Sequence, residues 1–235
     1  MDRCAVASER TGQVVGARSW PVTLRTERLV LRPAAATDAP QLRRLLTDPQ
    51  VRHFLGGPVG DGAVGALLGA LGAAGVAGVL GVAGVTPDVP DEPDRSDGPN
   101  RPGRPDRSDR SDRPDSPHRP NVFSVLTEVA GSAGVVVGVV SVEPRSRFDG
   151  RPEVSYSFLP EHWGRGYARE AVGAVVKWAL EAVASDSASL IAVTQEANVR
   201  SCRLLEALGM HRIDTFEEFG AVQVMYAVGG EGSGA

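Results

Sequence analysis

Apolar positions along the 235-residue chain fall into short runs whose spacing predicts alternating strands and helices. Thr26 to Pro33 (TERLVLRP) reads as a short strand. Asp38 then offers an N-cap for a helix over Ala39 to Leu46, whose Leu42, Leu45 and Leu46 share one face. Val122 to Val129 and Gly134 to Val142 read as strands joined by a turn at Ala130, Gly131 and Ser132. Glu153 to Leu159 (EVSYSFL) alternates in the manner of a strand. Arg169 to Val183 places Ala171, Val172, Val175, Val176, Ala179, Leu180 and Val183 along one helical stripe. Ser189 to Thr194 predicts another strand. Asn198 to Leu208 predicts a second amphipathic helix, closed by Gly209 as a left-handed C-cap. Met210 to Thr215 and Ala221 to Val228 predict a closing hairpin. The resulting order is β, α, weak α, β, β, β, α, β, α, β, β. That is an α+β or mixed α/β layered fold, with a central, mostly antiparallel sheet flanked by helices.

Several stretches break the pattern. Residues 1–21 have no continuous apolar run of the secretory kind and read as a loose tail, with order expected from about Val22. Gly62 to Thr86 is uncharged and, by length alone, admits a membrane span. Its eight glycines, six of them at every third position from Gly69 to Gly84, each weaken a helix by about 1 kcal/mol relative to Ala. A poor, partly helical segment is therefore expected there, not a span. The triplet positions lack Pro, which excludes collagen. Thr86 to Pro120 holds nine Pro, seven Arg, nine Asp or Glu and a single apolar residue, Val89. Such a segment buries nothing that would offset chain entropy, and is expected to be disordered. Its interleaved acids cancel the field that would make its arginines an RNA-binding arm. The expected organisation is one domain over 22–228, interrupted at 62–85 and 86–120, with a short flexible tail at 229–235.

Composition adds exclusions. Lys and Arg total 25 against 29 Asp and Glu, a net charge of -4, without the basic stripe of a nucleic-acid binder. Cys4 and Cys202 form no disulfide framework and no zinc-ligand spacing, which fits a reducing cytoplasm. His53, His118, His162 and His211 likewise show no metal-ligand spacing.

Chemistry concentrates in PEHWGRGYARE, between the Glu153 strand and the helix that follows. A strand, a glycine-rich turn and a helix together present free backbone N–H groups and the positive end of a helix dipole, an arrangement suited to phosphate. Gly164 and Gly166 let an anion approach the backbone with no Cβ in the way. The third glycine of a Rossmann fingerprint would fall at Arg169, and there is no GK[ST] of a P-loop. Many strand-to-helix turns carry two glycines, so this motif alone does not name a ligand.

In this order, TERLVLRP, TDPQV at 47–51, EVSYSFLPEHWGRGYAREA and NVRSCRLLEALGM resemble the Gcn5-related N-acetyltransferase (GNAT) superfamily. Within it they are most similar to the RimJ/RimL branch, the ribosomal-protein N-terminal acetyltransferases. The resemblance implies a turn that holds the pyrophosphate of acetyl-CoA, following the pattern R/Q-x-x-G-x-G/A. That pattern falls on Trp163, Gly164, Arg165, Gly166, Tyr167 and Ala168, with Trp in place of Arg or Gln. Leu159, Gly164, Arg165, Gly166, Tyr167 and Ala168 would form the cofactor-binding strand end and turn. Glu153 stands where many members keep a general base. Asn198, also a good N-cap, would contact the pantetheine arm, and Ser201 would lie near the thioester sulfur. Many members use a Tyr as general acid four residues before the glycine that closes this helix. Leu205 stands there, so Ser201 or solvent must serve. Arg203 would reach a CoA phosphate or face solvent.

The remaining candidates have bland readings. Cys202 reads as a packing residue, and His162 as a turn histidine near the acceptor. Glu217 and Glu218 would either attract a cationic amine or serve as ordinary hairpin charges. The expected activity is direct transfer from acetyl-CoA to a primary amine, without metal. An α-amine with a pKa of about 7.7–8.0 keeps roughly a tenth of its molecules neutral at pH 7, and so needs only modest help from Glu153. The acceptor is expected to be a protein N-terminus. A small-molecule amine such as an antibiotic or polyamine, or a non-catalytic CoA-binding role, is the alternative. Neither nucleic acid nor membrane is an expected partner, and a homodimer stays open.

Overall fold

The computed structural model describes residues 20–70, 121–128, 134–183 and 189–229. The Gly/Ala run beyond Ala70, the charged insertion, the turn at residues 130–132, and residues 1–19 and 230–235 of the tails lie outside the described residues. Eight strands form one sheet: β1 (Leu24–Arg25), β2 (Leu29–Pro33), β3 (Asn121–Thr127), β4 (Val136–Glu143), β5 (Glu153–Phe158), β6 (Ser189–Gln195), β7 (His211–Glu218) and β8 (Ala221–Gly229). Their spatial order is β1-β2-β3-β4-β5-β6-β8-β7. All neighbours run antiparallel except β5 and β6, which are parallel. The mixed α/β sheet follows the order expected from the sequence, with one added short strand, β1.

Five α-helices are described: α1 (Ala39–Thr47), α2 (Pro49–Arg52), α3 (Asp61–Ala70), α4 (Tyr167–Ala182) and α5 (Val199–Ala207). The predicted stripe of α4 is buried through Ala171, Val172, Val175, Val176 and Ala179, with Trp178 added. These side chains pack with Leu29, Leu31, Phe123, Val125, Val140, Val154, Phe158 and Leu205 into the larger core on one face of the sheet. On the other face Leu42, Leu45 and Leu46 of α1 pack with Val59, Val64, Val122, Val139 and Leu159. Each such aliphatic side chain contributes about 1.5–3 kcal/mol by leaving water. Helix–sheet–helix layering follows from the two apolar stripes meeting the two sheet faces.

Two expectations are corrected. Trp20, read as tail, packs edge-on against Phe123 at 4.8 Å between ring centroids, and near Trp178 at 6.1 Å. Asp38 precedes α1 but makes no side-chain cap bond to it. Its carboxylate instead accepts from Arg32 Nη1 and Nη2 (2.8 and 2.6 Å), from Ala35 N (3.0 Å) and from Ser124 Oγ (2.7 Å). Burial alone would raise this carboxyl, but the four donors hold it below the usual carboxylate range. Its job is to join β2, the turn before α1, and β3.

Candidate active site

β5 ends at Phe158, and Leu159 turns the chain. The Leu159 side chain is buried in the smaller core, so it anchors the turn from beneath. The Trp163 indole N–H donates to Phe158 O at 2.7 Å and folds the turn back over the strand end. Gly164 and Gly166 adopt φ of 73° and 80°, a left-handed backbone that favours glycine. α4 then begins at Tyr167 with no side-chain cap. The amides from Gly164 to Arg169 donate to no acceptor among the described residues. A row of free N–H groups at the positive end of a 16-residue helix fits an anion. Arg165 is exposed, Tyr167 and Ala168 half-buried.

A clamp absent from the sequence reading holds this turn. Glu170, one turn into α4, accepts from Thr26 Oγ1 (2.6 Å), Arg28 N (2.9 Å) and Arg28 Nε (2.7 Å). Arg28 Nη1 donates to Arg165 O at 3.0 Å, and its guanidinium lies 5.1 Å from the Tyr167 ring centroid. Burial would raise the Glu170 carboxyl, but its donors outweigh that and hold it below the ordinary value. The TERLVLRP motif and the glycine turn are thus two halves of one unit. Their co-occurrence in the chain was the available signal.

β5 and β6 pair at a single register point, Glu153 opposite Ile191, backed by Ile191 N donating to Pro152 O at 2.8 Å. β6 stays paired to β8 as far as Gln195, while β5 continues toward the glycine turn with no further register partner in β6. The two strands therefore splay toward that turn. Across the opening, the Tyr156 phenol meets Ser201 Oγ at 2.7 Å. Asn198 Oδ1 accepts from Ser201 N at 3.3 Å, the N-cap expected from the sequence. Arg200 stacks 5.3 Å from the Trp163 ring centroid, so α5 also touches the glycine turn. Arg203 is exposed and makes no hydrogen bond or ion pair among the described residues. Leu205 is buried in the larger core.

Glu153 and Tyr156 differ by an odd number of strand positions and so face opposite sides of β5. Glu153 is only 7% exposed, and Ser146 Oγ donates to its Oε2 at 2.6 Å. Burial pushes this carboxyl above its usual range, against the pull of the Ser146 bond and the Arg147 charge. Glu218 forms a two-bond pair with Arg147, at 2.7 and 2.6 Å, and Glu217 is exposed. Cys202 packs at the edge of the larger core, its Sγ 3.9 Å from Gln195 O. His162 is half-buried beside Tyr167, and burial holds its imidazole below the ordinary value. A cavity of about 630 Å³ lies apart from all of these groups, lined by residues including Arg25, Arg32, Asp38 and Gln41. Its charged walls serve the β2–α1 junction just described.

Among the described residues no helix is long and apolar enough to cross a membrane, and no group of His, Cys, Asp and Glu is arranged to hold a metal ion. Residues 107–211 match the family model described as the acetyltransferase (GNAT) domain. Solved structures share the fold. The GNAT-family acetyltransferase from Bacillus anthracis superposes with a TM-score of 0.58 at 18% identity, over 88% of this chain and 98% of that one. The acetyltransferase from Agrobacterium tumefaciens gives 0.56 at 19% identity, over 88% and 94%. The spermidine N-acetyltransferase from Vibrio cholerae, solved with CoA and spermine, gives 0.56 at 13% identity, over 87% and 96%. The splayed strands and the glycine turn both lie within the matched residues 107–211, in a fold shared with these acetyltransferases, and the match supports an N-acetyltransferase.

Proposed function

We propose that this protein transfers the acetyl group of acetyl-CoA directly to the α-amine of a protein N-terminus, in the manner of the RimJ/RimL branch. The amides from Gly164 to Arg169 would hold the pyrophosphate, with Arg165 adding charge. Asn198 would meet the pantetheine arm and Ser201 the sulfur. Bound there, acetyl-CoA supplies an activated thioester. Glu153, on the other face of β5, would take the amine proton through water. Its raised proton affinity makes it a better base for an amine than an ordinary carboxylate. Most of the acceleration would come from holding the two reactants in line.

The observation that favours a single α-amine over a polyamine is the Arg147–Glu218 pair. A polycation calls for several free carboxylates. The hairpin glutamate best placed to offer one is already neutralised by two charge-assisted bonds. The Vibrio cholerae neighbour carries spermine in its structure, so spermine is the necessary competitor in any assay.

CoA release should therefore be followed with short peptides bearing free or blocked N-termini, with spermine, and with an aminoglycoside. Transfer to free peptide N-termini alone is expected. In Glu153→Gln, kcat should fall by roughly 10²–10⁴, the usual contribution of a general base. Glu153 binds its proton more tightly folded than unfolded. Its ionised form therefore opposes folding above the unfolded pKa, and Glu153→Gln should be at least as stable as wild type at pH 7. Equal kcat/KM for spermine would overturn the acceptor assignment. Acetyl-CoA binding with no transfer to any amine would make the protein a CoA-binding regulator instead.

A further inference from the structure

The sequence leaves the acid side of the reaction half-built: Leu205 replaces the usual tyrosine, and an isolated serine is a weak acid. Tyr156 supplies what is missing. It comes from the middle of β5, three residues beyond the last point at which β5 and β6 pair, and its oxygen lies 2.7 Å from Ser201 Oγ on the first turn of α5. We propose that Tyr156 is a positioning residue for the leaving group: its phenol donates to Ser201 Oγ, leaving the serine hydrogen to point at the departing sulfur. This rests on reading the β5–β6 opening as the thioester site.

Three arguments set the direction of that bond. A phenol is far more acidic than an aliphatic hydroxyl, so in a hydroxyl pair it is the better donor and the alcohol oxygen the better acceptor. Loss of water around Tyr156 raises its pKa further, so the phenol keeps its proton at any working pH. Lastly, Asn198 Oδ1 is engaged with the Ser201 amide, which leaves the Ser201 hydroxyl to the tyrosine and to a ligand. A donor bond into Ser201 Oγ also polarises the serine O–H and strengthens its outgoing bond.

Magnitudes decide how far the proton moves. Burial holds the Tyr156 phenol above the ordinary tyrosine value near 10, and so above an alkyl thiol, and full transfer from Tyr156 to the thiolate runs uphill. The pair therefore stabilises the leaving group by hydrogen bonding. The amine nitrogen bonds to the acetyl carbon, the C–S bond breaks and its electron pair leaves on sulfur. The amine proton passes toward Glu153, and the thiolate takes its proton from solvent on release.

The test needs no acceptor. CoA, the free thiol, is bound to the full-length protein, and the thiolate absorbance of the complex is titrated as a difference against the unloaded protein. Subtraction removes Cys202, which neighbours Ser201, and the Tyr226 phenol bonded to Glu206 at 3.1 Å. In wild type the bound thiol should titrate about one unit below free CoA measured in the same buffer. Ser201→Ala should abolish that shift, Tyr156→Phe should halve it or more, and the double variant should match Ser201→Ala. Far-ultraviolet spectra and thermal midpoints establish that each variant is folded. Tyr156→Phe titrating like wild type, while Ser201→Ala loses the shift, overturns the role of the tyrosine. No shift in a CoA-loaded wild type overturns the pair as a whole. A folded wild type that binds no CoA brings down the thioester-site reading itself, and the proposal with it.

Discussion

Helices α4 and α5 each follow a strand at the β5–β6 opening, yet their first turns are finished differently. α5 is introduced by Asn198, whose side chain caps the amide of Ser201. α4 is introduced by Gly164, Arg165 and Gly166, and no side chain caps its amides. Both helices carry a positive N-terminal end, an effect confined to the first turn. A helix attracts an anion strongly only where its own sequence leaves those amides unspent. Under the proposed function, the contrast puts phosphate on α4 and leaves the α5 terminus to hold Ser201 in place. It also explains why Thr26, Arg28 and Glu170 gather at α4: an uncapped turn with two left-handed glycines has to be held from outside.

The largest effect should come from spending the free amides of α4. Gly166→Glu puts a carboxylate where an anion should sit. Calorimetry should show acetyl-CoA binding at least about 100-fold weaker, close to 2.8 kcal/mol. The left-handed φ of 80° at this position adds a folding penalty of about 1–2 kcal/mol for any side chain, so Gly166→Ala is the control for strain without charge. Unchanged affinity in Gly166→Glu would break the contrast between the two helices.

Loosening the clamp should have a smaller effect. Glu170→Ala removes the acceptor of three bonds while leaving every amide of the turn free, and acetyl-CoA affinity should fall about tenfold, ~1.4 kcal/mol. The same variant carries a pH signature. Glu170 is held below its ordinary pKa in the fold, so its ionisation stabilises the protein above the unfolded value near 4.3, and that support is lost as pH falls through the lower folded value. Thermal midpoints of wild type should drop more steeply below about pH 4.3 than those of Glu170→Ala. Parallel curves would remove Glu170 from the clamp.

Local rules made one half of this site readable and hid the other. Gly164 and Gly166 announce their turn because the conformation each requires is written into its own residue type. The stripes of α1 and α4 announce their buried faces through spacing alone. Contacts between distant positions have no such signature. Tyr156 and Ser201 are 45 residues apart, and Thr26 and Glu170 are 144 apart. Asp38 shows how a local rule can fail. It sits at an N-cap position, but Arg32 and Ser124 offer its carboxylate charge-assisted and buried bonds stronger than a helix amide can. Gly138 passes in the sequence as an ordinary strand glycine. In the fold a Cβ there would collide with the Phe158 ring and the Ser157 carbonyl, so the glycine lets β4 lie against the end of β5 just before the turn.

The finest separation concerns Asn198, which has two roles to disentangle. Its Oδ1 caps α5, and its amide nitrogen is the group that would meet the pantetheine arm. Asn198→Ala deletes both, and should cost about 1 kcal/mol of stability through the lost cap. For a chain of this size that lowers the thermal midpoint by roughly 2–4 °C. Asn198→Asp keeps an oxygen to cap Ser201 N, so the midpoint should stay within about a degree of wild type, since Asp and Asn cap almost equally well. What it loses is the N–H donor, and it adds a negative charge beside the proposed pantetheine path. A two- to fivefold loss of acetyl-CoA affinity in Asn198→Asp, with stability intact, is expected from one lost neutral hydrogen bond worth about 0.5–1 kcal/mol. If affinity follows stability instead, falling in Asn198→Ala and holding in Asn198→Asp, then Asn198 acts only by holding the first turn of α5, and the two helix termini divide their work completely: anion on α4, geometry on α5.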